Sequence, residues 1–223
     1  MSKYIIAMTC YERFSYLKKT LASLMESDLS LCKKIYLIDD CSRDPRVRKL
    51  LKTLPDIFQV HFNEKNLGVD FNMLKSYKIA FGENPNHTSI VSIDSDCIYK
   101  KEWLNEIDKA ANAFDDWGLV STFNTNVHKT IAQTGNYLIK KTAGGFSALM
   151  RKNLLTEVLD DREKIANGAF EIKSGDTSWD LIYNKKVKDN GLKIVVTKTS
   201  FTDHIGKFGS HANGINYDQA EEF

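Results

Sequence analysis

The sequence predicts an α/β fold, a mostly parallel central sheet flanked on both faces by helices. Two observations carry this. Four short apolar strand patterns alternate with four helical patterns across the first half of the 223-residue chain, the signature of right-handed crossovers between parallel strands. Two of those strands also run into paired carboxylates, Asp39-Asp40 and Asp94-Ser95-Asp96. Ligands of open α/β sheets bind at the carboxyl ends of strands, so one sheet brings both pairs to one edge.

In order, residues 3–9 read as a buried strand, followed by a helix from Arg13 to Met25 with Leu17, Leu21 and Leu24 on one face. Lys34 to Asp40 is the second strand. Val47, Leu50, Leu51 and Leu54 mark a short helix closed by Pro55. Ile57 to Phe62 is the third strand, and a polar turn at Gly68 leads to a helix carrying Phe71, Leu74, Tyr77 and Phe81. Ser89 to Asp94 is the fourth strand, before a helix with Trp103, Leu104, Ile107, Ala111 and Phe114.

The second half is less regular. Gly118 to Phe123 reads as a strand, Asn124 to Asn136 as a polar stretch, and Gly144-Gly145 as a turn into a strand ending at Met150. Leu154, Leu155, Val158 and Leu159 form a helix face. Trp179 to Val187 is a further helix stopped by Asn190-Gly191, and Leu192 to Thr197 is the last strand. The expected organisation is one domain over 1–223.

Composition narrows the function classes. A hydrophobic fraction of 42%, and 31 basic against 29 acidic residues, describe an ordinary globule rather than a dedicated polyanion binder. The four cysteines show neither a CxxC pair nor zinc spacing. The apolar run Tyr4–Met8 is too short for a signal peptide and no segment is long enough to span a membrane, so the expectation is a cytoplasmic protein with free thiols. The first strand is not followed by GxGxxG, no GxxxxGK[ST] occurs, and the glycine-rich loop of a nucleotidyltransferase is missing, which disfavours dinucleotide, P-loop and pyrophosphorylase chemistry.

On an extended backbone, side chains at i and i+2 share a face, so Asp94 and Asp96 converge, and two close carboxylates call for a hard cation. The competing reading makes Asp96 the cap of the helix that follows. His204, in a glycine- and histidine-rich tail, is as readily a hydrogen-bonded histidine as a ligand.

Taken in order, Thr9-Cys10-Tyr11-Glu12-Arg13, Ile38-Asp39-Asp40-Cys41-Ser42, Asn66-Leu67-Gly68, Asp94-Ser95-Asp96, Gly144-Gly145, Trp179-Asp180 and His204-Ile205-Gly206 resemble the GT-A glycosyltransferases, in particular the family 2-like nucleotide-sugar transferases. The resemblance spans residues 4 to 211. It implies a Rossmann-like GT-A fold with a nucleotide-binding half at 1–117 and an acceptor-binding half at 118–223, a nucleotide-sugar donor and a DxD metal site for Mn²⁺ or Mg²⁺. Asp96 and His204 would be ligands, with Asp94 supporting them nearer the ribose. Thr9, Tyr11 and Arg13 match the first donor loop, Asp39 or Asp40 the base-reading acid, and Asn66, Gly68, Ser95 and Gly145 further donor contacts. Asp180 matches the general base of an inverting transfer, with Asp176 the runner-up. Cys41 stands where glycine or asparagine is usual, and the first loop lacks the common PTYN form. A UDP-sugar is the default donor. The acceptor is open: a glycan, a lipid-linked saccharide, a protein, a small molecule or a nucleic-acid base. A non-catalytic nucleotide- or carbohydrate-binding module and a sugar-nucleotide nucleotidyltransferase are the alternatives.

Overall fold

The computed structural model describes residues 2–166, 178–207 and 218–223. The first half builds β1 (Tyr4–Cys10), α1 (Phe14–Glu26), β2 (Cys32–Asp39), α2 (Pro45–Leu51), β3 (Phe58–Phe62), α3 (Val69–Glu83), β4 (Ser89–Asp94), β5 (Cys97–Tyr99) and α4 (Trp103–Ala113). The second half adds β6 (Trp117–Ser121), β7 (Thr130–Thr134), β8 (Tyr137–Lys140), β9 (Ala148–Arg151), α5 (Lys152–Ala166), α6 (Trp179–Asp189), β10 (Lys193–Thr197) and β11 (Thr202–His204).

Nine strands form one sheet in the order β3-β2-β1-β4-β9-β6-β10-β8-β7. Only β8 and β9 run against the other seven, as the parallel and antiparallel pairings require. The chain winds outward from β1 through β2 to β3, then returns to place β4 on the other side of β1. That reversal is a topological switch point, where such sheets open a crevice for ligands. Thr9 near the end of β1 pairs with both Ile38 and Asp94, so β1 lies between the two acid pairs.

Burial on both faces follows the period of two. Along β1, Tyr4, Ile6, Met8 and Cys10 join one apolar cluster, with Leu17, Leu21 and Leu24 of α1, Val47 and Leu51 of α2, and Trp103, Leu104 and Ile107 of α4. Ile5 and Ala7 join the other, with Met73, Leu74 and Tyr77 of α3, Leu154, Leu155 and Val158 of α5, and Trp179, Tyr183 and Val187 of α6. A strand covered on both faces reads as a continuous apolar run, which is what Tyr4–Met8 is.

Four expectations need correction. Helix α2 starts at Pro45, earlier than the apolar pattern suggests, because the Asp44 side chain accepts the Arg46 N–H and Pro45 occupies the first turn. Asp96 does not cap α4: that helix begins at Trp103, with Glu102 in the cap position, and Ser95 and Asp96 form the turn between β4 and β5. The polar stretch 124–136 contains β7, an edge strand exposed along its whole length, so no apolar alternation marks it. Leu192–Thr197 is not the last strand, because β11 follows and pairs antiparallel with β5.

Candidate donor and metal site

The β5–β11 pair builds the centre of the site. Its register sets His204 opposite Cys97, and the Ile205 N–H donates to the Asp96 carbonyl at 2.8 Å. The His204 ring is thereby delivered to the DxD turn, with Nε2 3.2 Å from Asp96 Oδ2. Phe146 lies against the imidazole at 5.3 Å between centroids. Beneath it, the hydroxyls of Thr122, Ser147 and Thr202 are mutually hydrogen-bonded at 2.6–3.2 Å, pinning β11 to the sheet. Gly206 completes the turn, since a β-carbon there would lie 2.1 Å from Asp96 Oδ2.

From the opposite side comes Arg13, whose Nη1 donates to Asp96 Oδ2 at 2.6 Å. The electrostatics follow from this crowding. Burial, then the negative charge of Asp96, raise Asp94 from the usual carboxylate range to about 7, with Asp180 adding to the repulsion and His204 and Arg13 opposing it. Burial also acts against Asp96, but the His204 and Arg13 hydrogen bonds and charges outweigh it and hold Asp96 below its ordinary value. Burial would lower His204; its hydrogen bond to Asp96, with the charges of Asp96, Asp94 and Asp218, prevails and raises it.

Among the described residues, no group of three His, Cys, Asp or Glu side chains stands ready to hold a metal. The donor set nevertheless fits one. Two adjacent ligands of a six-coordinate cation, each bonded at about 2.1 Å, lie about 3 Å apart, close to the His204–Asp96 spacing of 3.2 Å. His204 Nδ1 is buried and unpartnered among the described residues.

The predicted base-reading acids lie buried at the end of β2. Asp39 and Asp40 are 1% and 2% exposed. Asp39 accepts from the Ser42 hydroxyl at 2.5 Å and from the Ser42 N–H at 3.2 Å. Asp40 accepts from Asn63 Nδ2 (2.8 Å), Leu67 N–H (2.8 Å) and Gly68 N–H (2.9 Å). Both carboxylates hold loops: Asp39 the turn at Ser42, and Asp40 the turn at Leu67–Gly68. Asn66 belongs to the same knot, its Oδ1 accepting from the Gly68 N–H at 3.1 Å, and Gly68 itself sits at φ 81°, where glycine is the natural choice. Sequence reasoning missed Asn63 and Asn72, whose amides are bonded to each other at 2.9 Å inside this network. Nothing in their spacing marks them.

Thr9 is buried at the end of β1, Tyr11 is exposed at the rim, and Ser95 is half-buried in the DxD turn. Gly145 has a structural reason to be glycine: a β-carbon would lie 2.4 Å from the Trp179 ring and 2.9 Å from Asp180 Cβ. Its close approach is to the start of α6, which carries Asp180. Asn184 ties that turn down, donating to the Asp180 carbonyl at 2.7 Å while exchanging two hydrogen bonds with the Ala143 backbone. Asp180 is half-buried and close enough for its charge to act on Asp94. Asp176 lies outside the described residues.

A doubly covered sheet with its acids gathered at the switch point is the GT-A glycosyltransferase architecture. The family profile of glycosyl transferase family 2 matches residues 5–129, and the chain belongs to that family. It is similar in structure to S. aureus TarS 1–349 solved in complex with UDP-GlcNAc, with a TM-score of 0.65 and 18% identity, covering 94% of this chain and 60% of that one. It is also similar to the mannosyltransferase PcManGT from Pyrobaculum calidifontis, solved in complex with GDP-Man and Mn²⁺, with a TM-score of 0.58 and 14% identity, covering 88% of this chain and 57% of that one. The chain thus spans about three fifths of either relative. No curated protein sequence matches it. Among the described residues, no helix is long and apolar enough to cross a membrane.

Proposed function

We propose that this protein moves a sugar from a nucleotide-sugar donor to an acceptor hydroxyl, using Mn²⁺ or Mg²⁺, in one displacement with inversion at the anomeric carbon. The observation that carries the reading is the meeting of Asp96, His204 and Arg13 at the carboxyl end of β4, beside the switch point. The donor complexes of TarS and PcManGT support a nucleotide-sugar, and the Mn²⁺ of PcManGT supports a divalent cation. A UDP-sugar is the donor to try first.

Asp96 and His204 would hold the cation, with Asp94 behind them. When bound, the cation offsets the charge that builds on the departing nucleoside diphosphate. The residues of this chain divide the remaining work. Thr9 at the end of β1, with Tyr11 and Arg13 of the loop that follows, faces the donor, and the Asp40-anchored turn at Asn66–Gly68 shapes the nucleoside side. Asp180 takes the proton of the acceptor hydroxyl as it attacks, from the first turn of α6.

The test is release of nucleoside diphosphate from a panel of UDP- and GDP-sugars, with Mn²⁺ and with chelator, across saccharide and small-molecule acceptors. Metal-dependent release with one donor is expected. Full turnover in chelator would overturn the metal assignment, and binding of donors without any release or transfer would overturn the transferase.

A further inference from the structure

Arg13 carries more than a donor contact. Both it and Glu12 sit in the left-handed region, at φ 51° and 52°, a strained conformation for a non-glycine residue. Contacts hold it in place. The Glu12 N–H donates to Ser42 Oγ at 2.7 Å, and the Glu12 carboxylate accepts from the Arg43 and Asp44 N–H groups at 2.8 and 3.1 Å. The Arg13 guanidinium, 4.5 Å over the Tyr16 ring, is thereby aimed at the DxD turn. Its Nη1 is satisfied by Asp96 at 2.6 Å, whereas its Nε and Nη2 are buried with no partner among the described residues. Those two nitrogens form the side-on edge of the fork, the edge that takes two oxygens of a phosphate. Buried donors left unpaired are costly, so this edge is prepared for an oxyanion.

We propose that Arg13 is a displaceable counter-cation: in the donor-free site it stands at Asp96 in place of the divalent metal, and on donor binding it passes to the diphosphate while the metal takes Asp96. This rests on the metal reading above. One carboxylate oxygen, Asp96 Oδ2, serves both Arg13 and His204, so metal alone must compete with a charge-assisted hydrogen bond. A diphosphate relieves the competition by giving the guanidinium somewhere better to go. Metal and nucleotide therefore bind with positive coupling, and each tightens the other by the same factor.

Calorimetric titration of the whole chain with Mn²⁺ alone, UDP alone, and each in the presence of the other tests this without turnover. The variant of choice is Arg13→Asn, since asparagine tolerates the left-handed backbone. It should bind Mn²⁺ alone about tenfold more tightly than the native chain, the equivalent of about 1.4 kcal/mol, and show a Mn²⁺–UDP coupling about tenfold smaller, the remainder coming from the cation's own contact with the diphosphate. Arg13→Lys keeps a cation without the fork, so it should retain weak Mn²⁺ binding and show a smaller coupling than the native chain; it also guards against a folding defect in the first variant. Unchanged or weaker Mn²⁺ binding in a folded Arg13→Asn protein, while Asp96→Asn abolishes it, would overturn the counter-cation and leave the metal site standing. Native Mn²⁺–UDP affinity in Asp96→Asn would overturn the metal site itself.

Discussion

Gly206 lies so close to Asp96 that a β-carbon on it would stand 2.1 Å from Oδ2 and 2.8 Å from His204 Nε2. The backbone has little room to give, because the Ile205 N–H is bonded to the Asp96 carbonyl and the Lys207 N–H to the Ile205 carbonyl, both at 2.8 Å. Gly206→Ala should push Asp96 and His204 apart and weaken Mn²⁺-dependent UDP binding by at least about tenfold, a cost of about 1.4 kcal/mol. Gly82→Ala is the comparison, since nothing stands within 4 Å of its β-carbon position and the site is helical; it should leave binding alone and add up to about 1 kcal/mol of stability. Native Mn²⁺–UDP affinity in Gly206→Ala would show that the close approach does not set the site.

Asp40 holds its loop by three hydrogen bonds, from Asn63, Leu67 and Gly68. Asp40→Asn would turn one acceptor oxygen into a donor facing other donors, at about 1–3 kcal/mol. Urea unfolding should show that loss, and the Kd for nucleotides should rise for every base together. Asp39→Asn should behave likewise through Ser42, more mildly. A changed preference between UDP and GDP at unchanged stability would identify these acids as base readers.

These pairs show what could and could not be read in the chain. Strands buried along most of their length announce themselves as apolar runs, so β1, β2 and β4 were legible, with the acids that close β2 and β4 on one sheet edge; the strand order that makes the switch point was not. The short strands β5 and β11 were not, because three residues cannot display a period. Their pairing is what brings His204 to Asp96, a contact between residues 108 positions apart by number. The resemblance placed His204 at the metal, but the sequence gives no physical reason for it. The loop-holding hydrogen bonds of Asp39 and Asp40 were not legible, because their donors, Ser42, Asn63, Leu67 and Gly68, are fixed by packing and not by spacing. Gly145 likewise was legible as a special position and illegible in its reason, the nearness of Trp179.

Asp94 makes the metal-free protein sensitive to pH. Its folded pKa stands at about 7 against an ordinary 3.8, through burial first and Asp96 second. The folded state therefore binds this proton more tightly than the unfolded chain. The stability it contributes is full below pH 3.8 and lost as pH rises toward about 7. Asp94→Asn should melt higher than the native protein at pH 8 in chelator, and the difference should shrink as pH falls to 4. A difference that grows on acidification would contradict the assigned sign.

Asp180 is the group proposed to accept the proton from the acceptor. Its position is set twice over: Trp179 packs on Gly145 and lies 5.5 Å from the Tyr77 ring, and Asn184 holds the Asp180 carbonyl at 2.7 Å. Its charge reaches Asp94 across the cleft. A base on the face opposite the leaving diphosphate requires direct attack on the anomeric carbon, and so inversion. Asp180→Asn preserves shape and removes the proton acceptor. It should keep the Kd for Mn²⁺ and UDP and lower kcat by about 10²–10⁴, the range for loss of a positioned general base. Asp176→Asn is the parallel test of the neighbouring acid, expected to leave kcat within a few-fold of native. Transfer rates for both variants and the anomeric configuration of the product by NMR decide the matter. A near-native kcat in Asp180→Asn would remove it from the base role, and a large loss confined to Asp176→Asn would hand that role to Asp176. A product of retained configuration would reject the single displacement.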